Sequence, residues 1–387
     1  LNARGCEACR QTLKFFQFGK TTMKFSVSSA FALEGIIAQE LRGLGMEAIK
    51  CETGRVTFEG TAQDAARACI WLRSADRVSL LLAEFPAQDF DTLYDGIRNA
   101  GVIKHLGRDS RICIEARCVK SRLMSQRDVQ RIGKKAVIDA MQSKWHMQRM
   151  PESGNAVFLK ISILKDVVSL TLDLCAEGLH KRGYRVKNAE APLRETLAAA
   201  LLLLSDYDGT QVMCDPFCGS GTIGIEAALI ARGIAPGARR KFAGEDYPIF
   251  RDGFIKEKER ARQMPQKKCE DILCSDISGE MTEMTRFHAE RAGVGQVLTT
   301  ACRDAREFES YAYCGKLVTN PPYGERLMER NEAARLLGEF SGVCSQLTQQ
   351  LWTVGILTPE PQAEKILGLK ALSRRKLYNA DIPCMFY

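Results

Sequence analysis

Asn320-Pro321-Pro322-Tyr323 is a run suited to holding an amine. The exocyclic nitrogen of a nucleobase is a poor nucleophile because its lone pair is delocalised into the ring, so a catalyst must grip the amine hydrogens. The Asn320 carboxamide oxygen and a proline carbonyl are neutral acceptors for them, and the Tyr323 ring offers a face on which a base can stack. Pro321 and Pro322 fix φ and extend the turn, which orients the acceptors in advance. The tetrapeptide follows Lys316-Leu317-Val318-Thr319, an apolar-leaning run that reads as a buried strand. An ordinary strand-to-loop exit is the competing reading of a Pro-Pro pair.

A second cluster supplies the partner chemistry. Gln211 to Asp215 reads as a strand, and Pro216 to Ala228 as a glycine-rich turn entering a helix. Gly219, Gly221 and Gly224 match G-x-G-x-x-G, so a hydride-transferring dinucleotide enzyme has to be weighed. Three carboxylates favour S-adenosylmethionine instead. Asp215 stands at the strand end before the glycines, where it attracts a methionine ammonium and repels a pyrophosphate. Asp276 ends the strand after Asp271, where it can accept from both ribose hydroxyls, much farther along than the roughly twenty residues of a dinucleotide fold. Asp304 follows the strand from Gln296 to Ala301 and can accept from an adenine amine. With Asn320, these make four polar groups at successive strand ends, along the one edge where an open α/β sheet binds ligands. For each carboxylate alone, a helix cap or Asx-turn explains its place equally well.

The elements that must position these groups come in three stretches. From Lys24 the chain reads strand (25–28), helix (30–44), strand (48–51) and strand (55–58). Leu33, Ile36, Ile37, Leu41 and Leu44 line one face of that helix before Gly45. A helix (61–72) and a strand (78–85) complete a small ferredoxin-like pattern. Residues 86–176 repeat the theme with helices at 90–99 and 128–142 and strands at 111–119, 156–164 and 167–174. There a basic loop containing Arg117, Lys120 and Arg122 feeds a helix on which Arg127, Arg131 and Lys135 share a face, with Lys134 beside it. That pattern suits phosphate contacts, and a solvated charged face is its plain alternative. From Gly183 onward strands and helices alternate as in a doubly wound parallel sheet.

Composition sets the limits. The 387 residues carry a net charge of +8, compatible with a polyanionic partner without proving one. The longest apolar run, Leu197 to Leu204, is less than half the roughly twenty residues needed to span a bilayer. Fifteen cysteines are scattered through globular sequence, and neither Cys6/Cys9 nor Cys214/Cys218 has a second pair at finger-like spacing. They read as reduced core thiols of a cytoplasmic protein with no metal expected. Residues 1–22 are basic, acid-poor and outside the body of the fold, with Met23 a natural start.

Four segments together resemble the THUMP-domain 23S rRNA guanine-N2 methyltransferases: D-P-F-C-G-S-G-T-I-G-I-E-A-A at 215–228, N-P-P-Y-G-E-R-L at 320–327, L-H-K-R-G-Y-R at 179–185 and A-P-L-R-E-T-L-A-A-A-L at 191–201. The resemblance covers nearly everything from Met23 and extends to a K-L-Y-N-x-x-I hairpin at Lys376 to Ile382. It implies a leader (1–22), a ferredoxin-like region (23–64), a THUMP RNA-binding domain (65–176) and a Rossmann-like methyltransferase domain (183–387). It also implies that Asp215, Gly219, Gly221, Asp276 and Asp304 hold S-adenosylmethionine, with Phe217, Ser220, Thr222, Ile277 and Asn320 beside them and Pro192, Leu193 and Thr196 closing over it. Asn320, Pro321, Pro322 and Tyr323 would hold a guanine amine. Some relatives carry a second catalytic domain fused to this one, so a single modification is expected. A transfer RNA enzyme is the near alternative; an NAD-dependent oxidoreductase and a noncatalytic RNA-binding factor are the distant ones.

Overall fold

Alternating burial along strands such as Ala156–Leu164 and Val167–Asp173, and near-continuous burial along the parallel strands of the second half, build two layered sheets. The computed structural model describes residues 22–186, 193–310, 312–323 and 330–387. The first half runs β1 (Met23–Ser28), α1 (Glu34–Gly43), β2 (Glu47–Glu52), β3 (Arg55–Gly60), α2 (Ala62–Trp71), β4 (Arg77–Pro86), α3 (Phe90–Asn99), β5 (Arg111–Val119), α4 (Gln126–Trp145), β6 (Ala156–Leu164) and β7 (Val167–Asp173). The second runs α5 (Glu195–Leu204), β8 (Val212–Asp215), α6 (Thr222–Ala231), α7 (Pro248–Gln263), β9 (Ile272–Asp276), α8 (Gly279–Ala292), β10 (Leu298–Cys302), β11 (Cys314–Thr319), α9 (Arg330–Glu339), α10 (Ser341–Gln349), β12 (Leu351–Thr358), α11 (Ala363–Leu367), β13 (Arg375–Asn379) and β14 (Ile382–Phe386). No described helix is long and apolar enough to cross a membrane.

The first sheet has the order β2-β3-β1-β4-β7-β6-β5 and is continuous, because β4 pairs with β1 on one side and β7 on the other. The second has the order β10-β9-β8-β11-β12-β14-β13. Its first five strands are parallel, and β14 closes the far side antiparallel to β12. The strand order therefore reverses between β8 and β11, which opens a crevice at their carboxyl ends.

The helix expected over 30–44 begins only at Glu34. Ala32 adopts a positive φ of 68°, and Leu33 turns into the core of the second sheet rather than along the helix face. Tertiary burial overrides the local periodicity here. The helix expected over 128–142 is longer at both ends, since the Ser125 hydroxyl accepts from Asp128 N–H and caps it from further upstream.

The two halves interlock. Phe242, Tyr247, Phe250 and Phe254, from the stretch around α7 in the second half, are fully buried in the core of the first sheet. The Arg67 guanidinium and the Gln63 amide of α2 both reach the buried Glu257 carboxylate of α7, at 3.1 and 2.9 Å. Close approach demands glycine at this seam: a Cβ at Gly237 would lie 2.8 Å from Ile70 Cα and 3.0 Å from the Cys69 carbonyl oxygen. Both are backbone atoms that cannot step aside. Gly237→Ala should accordingly cost ~1–3 kcal/mol of stability as overpacking, measured as a lower denaturant midpoint.

Candidate active site

Four adjacent parallel strands deliver polar groups to the carboxyl edge of the second sheet in the order β10, β9, β8, β11: Asp304, Asp276, Asp215 and Asn320. Register sets their relative heights. Asp215 pairs opposite Cys274, so Asp276 projects two residues farther, and Leu317 pairs with Cys214, which puts Thr319 and Asn320 just beyond Asp215. The edge thus gathers residues that span over a hundred positions of sequence.

Asp215 is 1% exposed, and its Oδ1 accepts from the Thr319 hydroxyl at 2.7 Å and from Phe217 N–H at 3.2 Å. Burial pushes its pKa from 3.8 up to about 7 despite those two donors, and the Asp276 charge adds to the rise. Asp276 faces the glycine turn: Oδ2 accepts from Gly219 N–H at 2.9 Å and Oδ1 from Ser278 N–H at 3.0 Å. Two carboxylates therefore flank the turn, each bonded to one of its amides. A pyrophosphate would meet negative charge where a dinucleotide fold offers it free N–H groups.

The turn itself is held from behind by α8. The Thr285 hydroxyl donates to the Gly219 carbonyl at 2.8 Å, and His288 Nδ1 lies 3.2 Å from the Ser220 carbonyl. Gly221 sits at φ 82°, where a Cβ would be 2.5 Å from the Thr285 methyl, and a Cβ at Gly224 would run into the Cys274 sulfur at 2.1 Å. The glycines thus serve a tight turn and close helix–strand packing. Cys218 is buried with its sulfur 3.7 Å from the Thr285 hydroxyl, a packing position.

The remaining expected residues divide into groups. Ser220, Thr222, Leu193 and Thr196 are buried near the start of α5 and α6. Phe217 meets Phe340 edge to face at 5.2 Å and packs toward the helices. Ile277 is 71% exposed, an uncovered aliphatic side chain beside Asp276. Asp304 is engaged by Arg306, whose Nε bonds both of its oxygens at 2.9 and 3.0 Å. Asn320 Oδ1 accepts from the Tyr323 hydroxyl, and the Tyr323 ring packs half-buried in the core cluster; burial raises its pKa, with Cys384 adding to the rise. Pro321 is buried and Pro322 half-buried. Pro192 and residues 324–327 lie outside the described residues.

Sequence reasoning missed the groups that hold these in place. Arg185 donates to the Leu193 carbonyl and to the Thr222 hydroxyl and lies 3.6 Å from the Glu195 carboxylate, so it ties the entry of α5 to the first turn of α6. Thr319 and Thr285 act through single hydrogen bonds that no periodicity marks. Arg185 alone had a signal, its place in the L-H-K-R-G-Y-R segment.

On the other sheet, Arg117, Lys120, Arg122, Arg127, Arg131 and Lys135 are exposed and Lys134 half-exposed. Arg131 bonds Asp128 at 3.2 Å, Lys134 bonds Glu152 at 2.8 Å, Arg122 bonds Gln88 at 3.1 Å, and Lys135 lies 5.8 Å from the centre of the Tyr94 ring.

Known proteins bring the same elements together. The RMKL-like methyltransferase domain model matches residues 182–387, and the RlmL ferredoxin-like domain model matches residues 24–79. YpsC of Bacillus subtilis (strain 168), provisionally named an RNA methyltransferase, is 38% identical over 368 residues, covering 93% of this chain and 94% of its own. The ribosomal RNA large subunit methyltransferase K/L of Syntrophotalea carbinolica is 30% identical over 384 residues, which make up 94% of this chain and 53% of that one. This chain thus spans about half the length of its K/L relatives. SMU.472, provisionally a methyltransferase and solved in complex with SAH, superposes with a TM-score of 0.89 at 34% identity, covering 95% of this chain and 97% of that one.

The raised pKa of Asp215 has a sign that can be measured. Between 3.8 and about 7 the folded chain keeps a proton that the unfolded chain has lost, so this group's contribution makes stability fall as pH rises through that window and level off above it. Asp215→Asn keeps an acceptor for Thr319 and removes the charge. The variant should be more resistant to urea than the parent at about pH 8, with the difference vanishing near the ordinary carboxylate range.

Proposed function

We propose that this chain, which belongs to the RMKL-like methyltransferase family, uses S-adenosylmethionine to methylate the exocyclic N2 amine of a guanine in RNA, with large-subunit ribosomal RNA as substrate. The observation that carries the reading is the placement of Asn320 at the end of β11 beside Asp215 of β8, at the point where the strand order reverses. An amine clamp and a carboxylate suited to an ammonium group stand on neighbouring strands.

When bound, S-adenosylmethionine supplies an electrophilic sulfonium methyl. Asp215, ionised, pairs with the methionine ammonium; Asp276 accepts from the ribose hydroxyls; Asp304 accepts from the adenine amine; and Ile277 covers the adenine ring. Leu193, Thr196 and Pro192 close over the cofactor, held at that end by Arg185. Asn320 Oδ1 and a proline carbonyl bind the hydrogens of the guanine amine and aim its nitrogen for in-line displacement, so catalysis rests on positioning and on acceptors fixed beforehand. The Tyr323 hydroxyl donates to the Asn320 oxygen. The incoming amine displaces it and frees the ring to stack on a base flipped out of its helix.

RNA reaches the site along the 65–176 region, where Arg117, Lys120, Arg122, Arg127, Arg131, Lys134 and Lys135 meet phosphates. The small α/β units ahead of the catalytic sheet favour RNA over a DNA adenine-N6 substrate. The ribosomal RNA assignment draws on the names of the K/L relatives.

Two experiments test this. With labelled S-adenosylmethionine and unmodified 23S RNA, the parent should form N2-methylguanosine on nucleoside analysis, and Asn320→Ala should lower kcat by roughly 10²–10³ while still binding cofactor. A digest containing N7-methylguanosine or N6-methyladenosine instead would sink the N2 assignment. Separately, Arg127→Ala with Lys135→Ala should weaken RNA binding and flatten the dependence of log affinity on log salt by roughly one to two units, read by filter binding.

A further inference from the structure

A cavity of about 230 Å³ opens between the two halves, walled by Phe31 from the turn before α1, Asp76 from the turn before β4, Arg194 and Thr196 at the start of α5, and Tyr378 and Ala380 at the β13–β14 turn. It is smaller than the roughly 300–1,000 Å³ typical of cofactor-sized ligands. One planar base is a better match.

Topology puts this cavity on the catalytic side. A helix that leads into a parallel strand runs antiparallel to it, so the start of α5 lies at the carboxyl edge where β8 ends. β14 pairs through Met385 with Thr358, the last residue of β12, so the hairpin turn projects past the same edge. The Tyr323 ring packs in the cluster that contains Leu377, Cys384 and Phe386 of that hairpin. The cavity therefore neighbours the amine clamp without containing it.

Its walls and rim carry three features suited to a nucleotide. Phe31 is 53% exposed and meets Tyr378, itself 37% exposed, edge to face at 6.0 Å. The Asp76 carboxylate is half-buried and, among the described residues, accepts no hydrogen bond; burial raises its pKa, and the nearby Arg194, Arg77 and Lys160 charges oppose that rise. The Arg194 guanidinium is exposed and faces Asp76 without a hydrogen bond among the described residues; outside the lining, the Lys376 ammonium lies 5.7 Å from the centre of the Tyr378 ring. Aromatic faces stack on bases of any sequence, carboxylates accept only from donor edges, and guanidinium and ammonium groups meet phosphates.

We infer that this cavity holds one unstacked RNA base next to the target guanine, stacked against Phe31 and Tyr378, with its amino edge on Asp76 and the adjoining phosphates on Arg194 and Lys376. The inference rests on the RNA methyltransferase reading above. Among the bases, guanine sets two donors, N1–H and N2–H, side by side on one edge and suits a carboxylate best. The N-terminal unit then supplies a wall of the substrate path.

Steady-state methylation of unmodified 23S RNA by the full chain tests it with Phe31→Ala, Phe31→Trp and Asp76→Asn. Phe31→Ala and Asp76→Asn should each raise KM for RNA roughly tenfold, with kcat, cofactor affinity and melting midpoint unchanged, and Phe31→Trp should restore the parental KM because a stacking face returns. Unchanged KM in both variants would overturn the assignment. So would a loss of kcat at constant KM, which would give the cavity to the reacting base itself. If the parent transfers no methyl to RNA, it is the functional reading that has failed, and this proposal falls with it.

Discussion

A guanidinium buried between the two sheets, that of Arg182, is the constraint around which the rest is arranged. Its side chain is 2% exposed, and it donates to the carbonyls of Arg73 and Leu179 and lies 3.4 Å from the fully buried Glu226 carboxylate. An isolated charge in that position would cost several kcal/mol, so each partner is obligatory. Arg73 belongs to the first sheet's unit, Leu179 to the connection and Glu226 to α6, which the glycine turn enters. The same logic repeats around it. Arg73 donates to the Leu229 and Ile234 carbonyls, with its pKa lowered by burial to about 10, and Arg240 reaches the carbonyls of Cys175, Glu177, Gly178 and Lys181. Five donors in a rigid fork make arginine the residue that can satisfy several chain ends at once. These bonds seat the N-terminal unit against the second half.

Charge is segregated on this frame. The chain is basic overall, yet the crevice between β8 and β11 is lined by carboxylates, one of them held near neutrality by burial. Exposed basic residues, several of them paired with Asp128, Glu152 or Gln88, stand on α4 and the loop before it. A ligand with a cationic head gains energy in that crevice.

Much of this was legible in sequence because the relevant signals are local. Strand ends followed by Asp or Asn, a glycine turn after an apolar run and basic residues at i, i+4 and i+8 each declare themselves within a dozen residues, and the structure puts Asp304, Asp276, Asp215 and Asn320 on four adjacent strands. What could not be read depends on tertiary contact. Leu33 leaves the expected helix because a hydrophobic core lies across from it, and the Thr319–Asp215 bond joins residues 104 positions apart. The aromatic cluster at 242–254 sits within the second half of the chain yet packs into the core of the first sheet, because amphipathicity shows which face a helix buries and not against what.

That displaced cluster bears on how the protein is made. Chain synthesis is vectorial, and the first sheet has all its strands once Asp173 has emerged, but its core stays open until Phe242, Tyr247, Phe250 and Phe254 arrive some eighty residues later. At ordinary elongation rates that gap lasts on the order of ten seconds. Throughout it, a nascent sheet with an uncovered apolar face must wait on the ribosome for a piece encoded inside the next domain, so the two halves are one folding unit in time as well as in space.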